Sequence, residues 1–170
     1  INYKIPDQFV KFIYAVVFLN LVVSPILVSL FLKSKGIIQS LEMKDSKERQ
    51  IPYLISGLLY GLTYLLFQQI EMPQLYLSFF LAAFLVIVVL LLLSLVHKKI
   101  SAHLAALGGI CGMLFMIGSL MNLDTSFLLI AFILVSGFVA SARIGLKSHS
   151  LMELMLGFGL GFAMQVVVFT

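Results

Sequence analysis

The chain predicts an all-α, polytopic membrane bundle with six membrane-spanning helices, and three observations carry that expectation. Of its 170 residues, 62% are hydrophobic and only 11% charged, with a mean hydropathy of +1.15, well outside the range of a soluble domain. The apolar residues fall into the runs Phe9 to Leu32, Ile51 to Phe67, Leu75 to Val96, Ala102 to Met121, Phe127 to Ala142 and Leu151 to Phe169. Each run is near the roughly 17–25 residues that cross a hydrocarbon core of about 30 Å as helix. The runs are also continuous instead of alternating, which favours helices over a barrel, because backbone amides in lipid must be satisfied within their own segment.

Taken in order, the first run is too long for a signal peptide and lacks a small-residue cleavage pattern. The chain opens on Ile1, which leaves room for an upstream segment, even a seventh helix; residues 1–170 read as a single transmembrane domain. Pro25 predicts a kink in the first helix, and Pro52 suits the first turn of the second. The third run, Phe79 and Phe80 followed mostly by Leu, Val and Ile to Leu93, suits lipid better than a tight helix contact. Small residues in the fourth run (Gly108, Gly109, Gly112), the fifth (Ser136, Gly137, Ala140, Ser141) and the sixth (Gly157, Gly159, Gly161) predict close approach, and so a core built from these three. Asn20, Gln68 and Gln165 read as interhelical hydrogen-bonding residues. The lone Cys111 excludes an intrachain disulfide and a cysteine-based metal cluster.

The net charge is +4, and its placement matters more than its size. Lys33 to Gln50, His97 to Ser101 and Arg143 to Ser150 fall on one membrane face. That face holds nine of the eleven bases, with Lys4 and Lys11 on the other. By the positive-inside rule it is cytoplasmic, an inference that weakens if several of those bases bind substrate. Membrane lipids, and no nucleic acid, are the expected partners.

Three patterns share this face: Lys44-Asp45-Ser46-Lys47-Glu48-Arg49 leading to Pro52; Ser101-Ala102-His103; and Arg143, then His149, then Glu153. In order and spacing they resemble the type 2 phosphatidic acid phosphatase superfamily of lipid phosphatases, related to bacterial acid phosphatases and vanadium haloperoxidases. That family carries a Lys, an Arg-Pro pair, a Pro-Ser-Gly-His, and a Ser-Arg with five residues before a His and three more before an Asp. Here Glu153 stands for the Asp and Ala142 for the Ser. Ile100 and Ala102 replace the Pro and Gly, Gln50 and Ile51 separate Arg49 from Pro52, and the Lys position is Glu42, so that Lys44 or Lys47 would substitute.

The resemblance implies hydrolysis of a lipid phosphomonoester or diphosphate, such as phosphatidate, phosphatidylglycerol phosphate, a polyprenyl diphosphate or a lipid A phosphate. His149 would attack phosphorus, Glu153 would orient it, and His103 would serve as acid and then base. Arg49, Arg143, Lys44 or Lys47, and Ser101 would bind phosphate. The scheme needs neither metal nor cofactor. It also implies a bacterial inner-membrane protein whose relatives commonly work on the periplasmic side, against the vote of the basic residues. Two other classes stay open. One is a transporter or inactive relative that binds lipid headgroups. The other is a membrane hydrolase with zinc on His149, Glu153 and His103, since a His and a Glu four apart can share an ion.

Overall fold

The computed structural model describes residues 7–41, 43 and 45–170, and among these the only regular elements are helices: α1 (Asp7–Phe18), α2 (Ser24–Ser34), α3 (Gln50–Gln69), α4 (Gln74–Leu95), α5 (Ala102–Met121), α6 (Ser126–Gly145) and α7 (Leu151–Phe169). A π-helical segment, Leu19–Val23, joins α1 to α2, and a 3₁₀ turn, Lys47–Arg49, leads into α3. Five helices, α3 to α7, are long and apolar enough to cross a membrane, which makes the chain a multi-pass membrane protein. The six-span expectation meets a difference in the first run, where no single regular helix is that long. Pro25 lies in the first turn of α2, and its missing N–H and ring displace the preceding turn into the wider π geometry. Pro52 lies in the first turn of α3, where a missing N–H costs nothing.

The bundle is built outward from α5 and α7, which share the largest contact. A Cβ on Gly108 would overlap the Phe158 carbonyl, one on Gly161 the Ala105 carbonyl, and one on Gly157 would stand 2.5 Å from the Ser101 carbonyl. Only hydrogen at these positions lets two backbones come so near. The end of this contact is fastened by the Ser101 N–H, which donates to the Glu153 carbonyl at 3.2 Å.

The rest of the core corrects the expectation above. The helix of the third run, α4, is buried over 33% of its span, second to α5 and more than α7, while α6, from the fifth run, is buried over only 6% of its span. Ser78, Ala82, Val86, Leu90 and Ser94 recur every fourth residue and are all buried. They form a narrow-shouldered stripe inside an otherwise bulky run, and it packs against α3 and α7. On α6, nothing lies within 4 Å of where a Gly137 Cβ would stand, and Ser141 is exposed. Small residues permit close approach but do not compel it. Asn20 donates to the Thr63 hydroxyl at 2.7 Å and Gln165 to the Phe79 carbonyl at 3.4 Å, as interhelical bonds, whereas Gln68 is exposed near the end of α3.

Helix ends set the turns at the polar face. After α2, α4 and α6 the chain reverses through Gly36, His97 and Lys147, each at positive φ. Each is flanked by paired bonds back into the last turn, such as Ser148 N–H to the Arg143 carbonyl and Lys147 N–H to the Ile144 carbonyl. This is the Schellman closure, usually made with glycine. His97 thus has a backbone role.

Gly161→Ala is expected to lower bundle stability by at least ~2 kcal/mol, in the range of overpacking, and Gly159→Ala, with nothing within 4 Å, to change it little. Thermal unfolding of the two variants in detergent measures the difference.

Candidate functional site

At the end of the bundle where α3, α5 and α7 begin, a cavity of about 380 Å³ opens. Arg49, His103, Arg143 and His149 line it, and so do the apolar side chains of Pro25, Ile26 and Leu30 of α2 and of Leu41 and Met43. Side chains 100 positions apart in the chain therefore meet, and each arrives by a local device.

Arg49 ends the 3₁₀ turn and is only 7% exposed. Its Nε donates to the Met43 carbonyl at 2.8 Å and its Nη1 to the Ile100 carbonyl at 3.3 Å, tying two loops together. Both Nη atoms lie 3.4 Å from Nε2 of His149. His149 follows the turn after α6 and precedes Ser150, the N-cap of α7. A capping box fixes this helix start, with the Ser150 hydroxyl accepting from the Glu153 N–H and the Glu153 carboxylate accepting from the Ser150 N–H. The same carboxylate oxygen accepts from Nδ1 of His149 at 2.7 Å. A guanidinium has no lone pair to offer, so Nε2 must be the acceptor and Nδ1 the N–H. His149 is thereby held in one neutral tautomer with its Nε2 lone pair turned toward the cations.

Burial is the first cause that pushes the His149 pKa below that of free imidazole; the hydrogen bond and the charge of Glu153 oppose it, and the Arg49 and Lys99 charges reinforce it. The net effect is downward, which favours the neutral ring at pH 7.

His103 occupies the first turn of α5 and is the more exposed imidazole. Nη2 of Arg143, in the last turn of α6, donates to its Nε2 at 2.6 Å. His103 is neutral in this arrangement as well. The site therefore presents two guanidinium–imidazole pairs, Arg49 with His149 and Arg143 with His103, in one cavity where three helices start and α6 ends. Helix N-termini add partial positive charge and N–H donors.

Of the residues singled out from sequence, Arg49, Arg143, His103 and His149 line the cavity, and Glu153 supports it from behind. Ser101 is fully buried, and its hydroxyl accepts from the Leu104 N–H as the N-cap of α5, so it holds the helix start. Lys47 is exposed, its backbone N–H donating to Asp45, and it is not part of the lining. Lys44 lies outside the described residues. Among the described residues no three His, Cys, Asp or Glu side chains are placed to share a metal ion, since the two Nε2 atoms face separate guanidiniums and Glu153 faces Nδ1.

Two contributors were not legible as such. Tyr53, one turn into α3, lines the cavity with its phenol against the Arg49 guanidinium; its only signal is the interval of four from Arg49. Lys99 reads as an interfacial anchor, yet its charge reaches His149. Comparison of the chain with models of known families, with curated proteins and with solved structures finds no match.

In histidine NMR, His149 is expected to titrate below the free-imidazole value of about 6.5. Glu153→Ala, which removes an upward influence, should lower that pKa further, and Arg49→Ala should raise it. A shift of opposite sign in either variant would refute the assigned environment.

Proposed function

We propose that this protein is a metal-independent phosphatase that hydrolyses the phosphate ester or diphosphate of a membrane lipid. One observation carries the reading: two Arg–His pairs share one cavity, and the neutral His149 ring is oriented by Glu153. Phosphoryl transfer asks for cationic donors around a dispersed anionic charge, a nucleophile and an acid for the leaving oxygen, and the cavity offers a residue for each.

A phosphate entering between the pairs takes over the Nη N–H groups of Arg49 and Arg143. The Nε2 lone pair of His149 then forms a bond to phosphorus as the ester P–O bond breaks, and the Nδ1–H···Glu153 bond steadies the resulting cation. Nε2 of His103, released from Arg143 by the phosphate, takes a proton from solvent and passes it to the departing oxygen. Water next gives its proton to His103 and its oxygen to phosphorus, the N–P bond breaks, and inorganic phosphate leaves. Binding of the anion and protonation of His103 are coupled, because the same arginine cannot hold both.

The apolar residues in the lining support a lipid substrate, with the phosphate at the bundle's polar end and the chain in hydrocarbon. A sixth crossing is read over Asp7–Ser34, where α1, the π segment and α2 follow without a break. Membrane lipids surround the bundle, and the site face is assigned to the periplasmic side of a bacterial inner membrane. Reaction of a cysteine placed at Lys98, which is exposed, with an impermeant maleimide on intact cells tests that side. The headgroup-binding reading ranks second, since the same two guanidiniums would also serve it. The zinc reading is not favoured, as the donors point apart.

Phosphate release from phosphatidate, phosphatidylglycerol phosphate and polyprenyl diphosphate in EDTA tests the activity. His149→Ala is expected to abolish release. Arg143→Lys should lower kcat/KM by roughly 10- to 100-fold, as a point charge replaces a two-pronged donor. The rate should fall as pH drops through the depressed His149 pKa, where the nucleophile gains its proton, and a base-stable, acid-labile phosphoprotein should be trapped. Activity undiminished in His149→Ala would end this proposal.

A further inference from the structure

Beneath the cationic cavity lies a second one of about 370 Å³, and the two share Pro25, Tyr53, Ser56 and Ala102 in their linings. The two therefore adjoin at these four residues, with the cationic groups around the first and a mostly apolar lining around the second. The lower part is a slot rather than a packed interface because its walls are shaved to small side chains, with Ala83 on α4 and Ala105, Ala106 and Gly109 on α5. Its deep end carries Gln165 of α7. That side chain is 2% exposed, and its Nε2 donates to the Phe79 carbonyl, but its Oε1 has no hydrogen-bond partner among the described residues. An unpartnered acceptor in an apolar slot is costly and uncommon.

We infer that this slot binds one apolar chain of the phosphorylated substrate and that Gln165 ends it, so that the enzyme reads chain length as well as phosphate. The inference rests on the phosphatase reading for the chemistry at the mouth, and it adds which part of the amphiphile is recognised below. From Ala102 to Ile110 the slot runs along α5 for roughly 12 Å at 1.5 Å per residue. An extended chain covers about 1.2 Å per bond, as the peptide backbone does, so roughly ten bonds reach the amide. Methylenes up to that depth replace contact with water or lipid by contact with the slot. Further methylenes meet a polar group they cannot satisfy and must turn out into the bilayer.

The test uses full-length protein in detergent and a decyl phosphate carrying a diazirine at its chain end, with crosslinked residues mapped by mass spectrometry. Label is expected at Gln165, Ile110 and Phe79. Unlabelled decyl phosphate should compete at least tenfold more strongly than butyl phosphate, and hexadecyl phosphate no more strongly than decyl. In Gln165→Ala, hexadecyl phosphate should gain at least threefold over decyl, as the floor recedes, and Ala106→Phe should remove the floor label. Label spread along the lipid-facing side of α6, or potency that climbs evenly through hexadecyl phosphate in the parent, overturns the inference. Floor labelling without phosphate release from any substrate would sink the hydrolytic reading alone, and release with scattered labelling would sink the slot alone.

Discussion

Two glycine-faced helices touching backbone to backbone set the position of everything else. With Gly108, Gly157 and Gly161 between them, α5 and α7 come close enough for the Ser101 N–H to reach the Glu153 carbonyl. That bond joins the first turn of one helix to the first turn of the other. His103 stands two residues beyond Ser101 and His149 four before Glu153, so the register of the contact fixes where the two imidazoles stand relative to each other. A larger residue in the seam would separate both helices and the chemistry at their ends.

Within this frame the polar groups restrain one another. Arg49 spans the loop before α3, the connection between α4 and α5, and the His149 ring with three sets of donors. Glu153 satisfies a helix N-terminus and an imidazole with one oxygen. Ionisable groups at a membrane boundary are expensive unless they have partners, and here the partners are also what orients them. The same arrangement leaves each imidazole Nε2 engaged by a guanidinium, Arg49 on His149 and Arg143 on His103.

Much of the fold was legible from hydropathy alone, because length and continuity of apolar runs follow directly from bilayer thickness. The fourth and sixth runs, Ala102 to Met121 and Leu151 to Phe169, are the bounds of α5 and α7. What was not legible was which runs pack together. Bulk misled for α4, whose buried stripe occupies only every fourth position, and small residues misled for α6, since nothing in its own sequence says whether a neighbour lies alongside. The local patterns around His103 and His149 could be read because capping and intervals are short-range. The reach of Lys99 toward His149, and the phenol of Tyr53 against Arg49, depend on loop paths that no spacing encodes.

The six-residue interval from Arg143 to His149 acquires a mechanical meaning from the turn that fills it. The Ser148 N–H closes on the Arg143 carbonyl and Lys147 takes a left-handed conformation, so the span is a rigid bracket rather than a tether. Its two ends hold a guanidinium from one helix and an imidazole entering the next at a set distance. Length here is a gauge: adding or removing a single residue re-aims one end against the other, a constraint that an ordinary surface loop never faces.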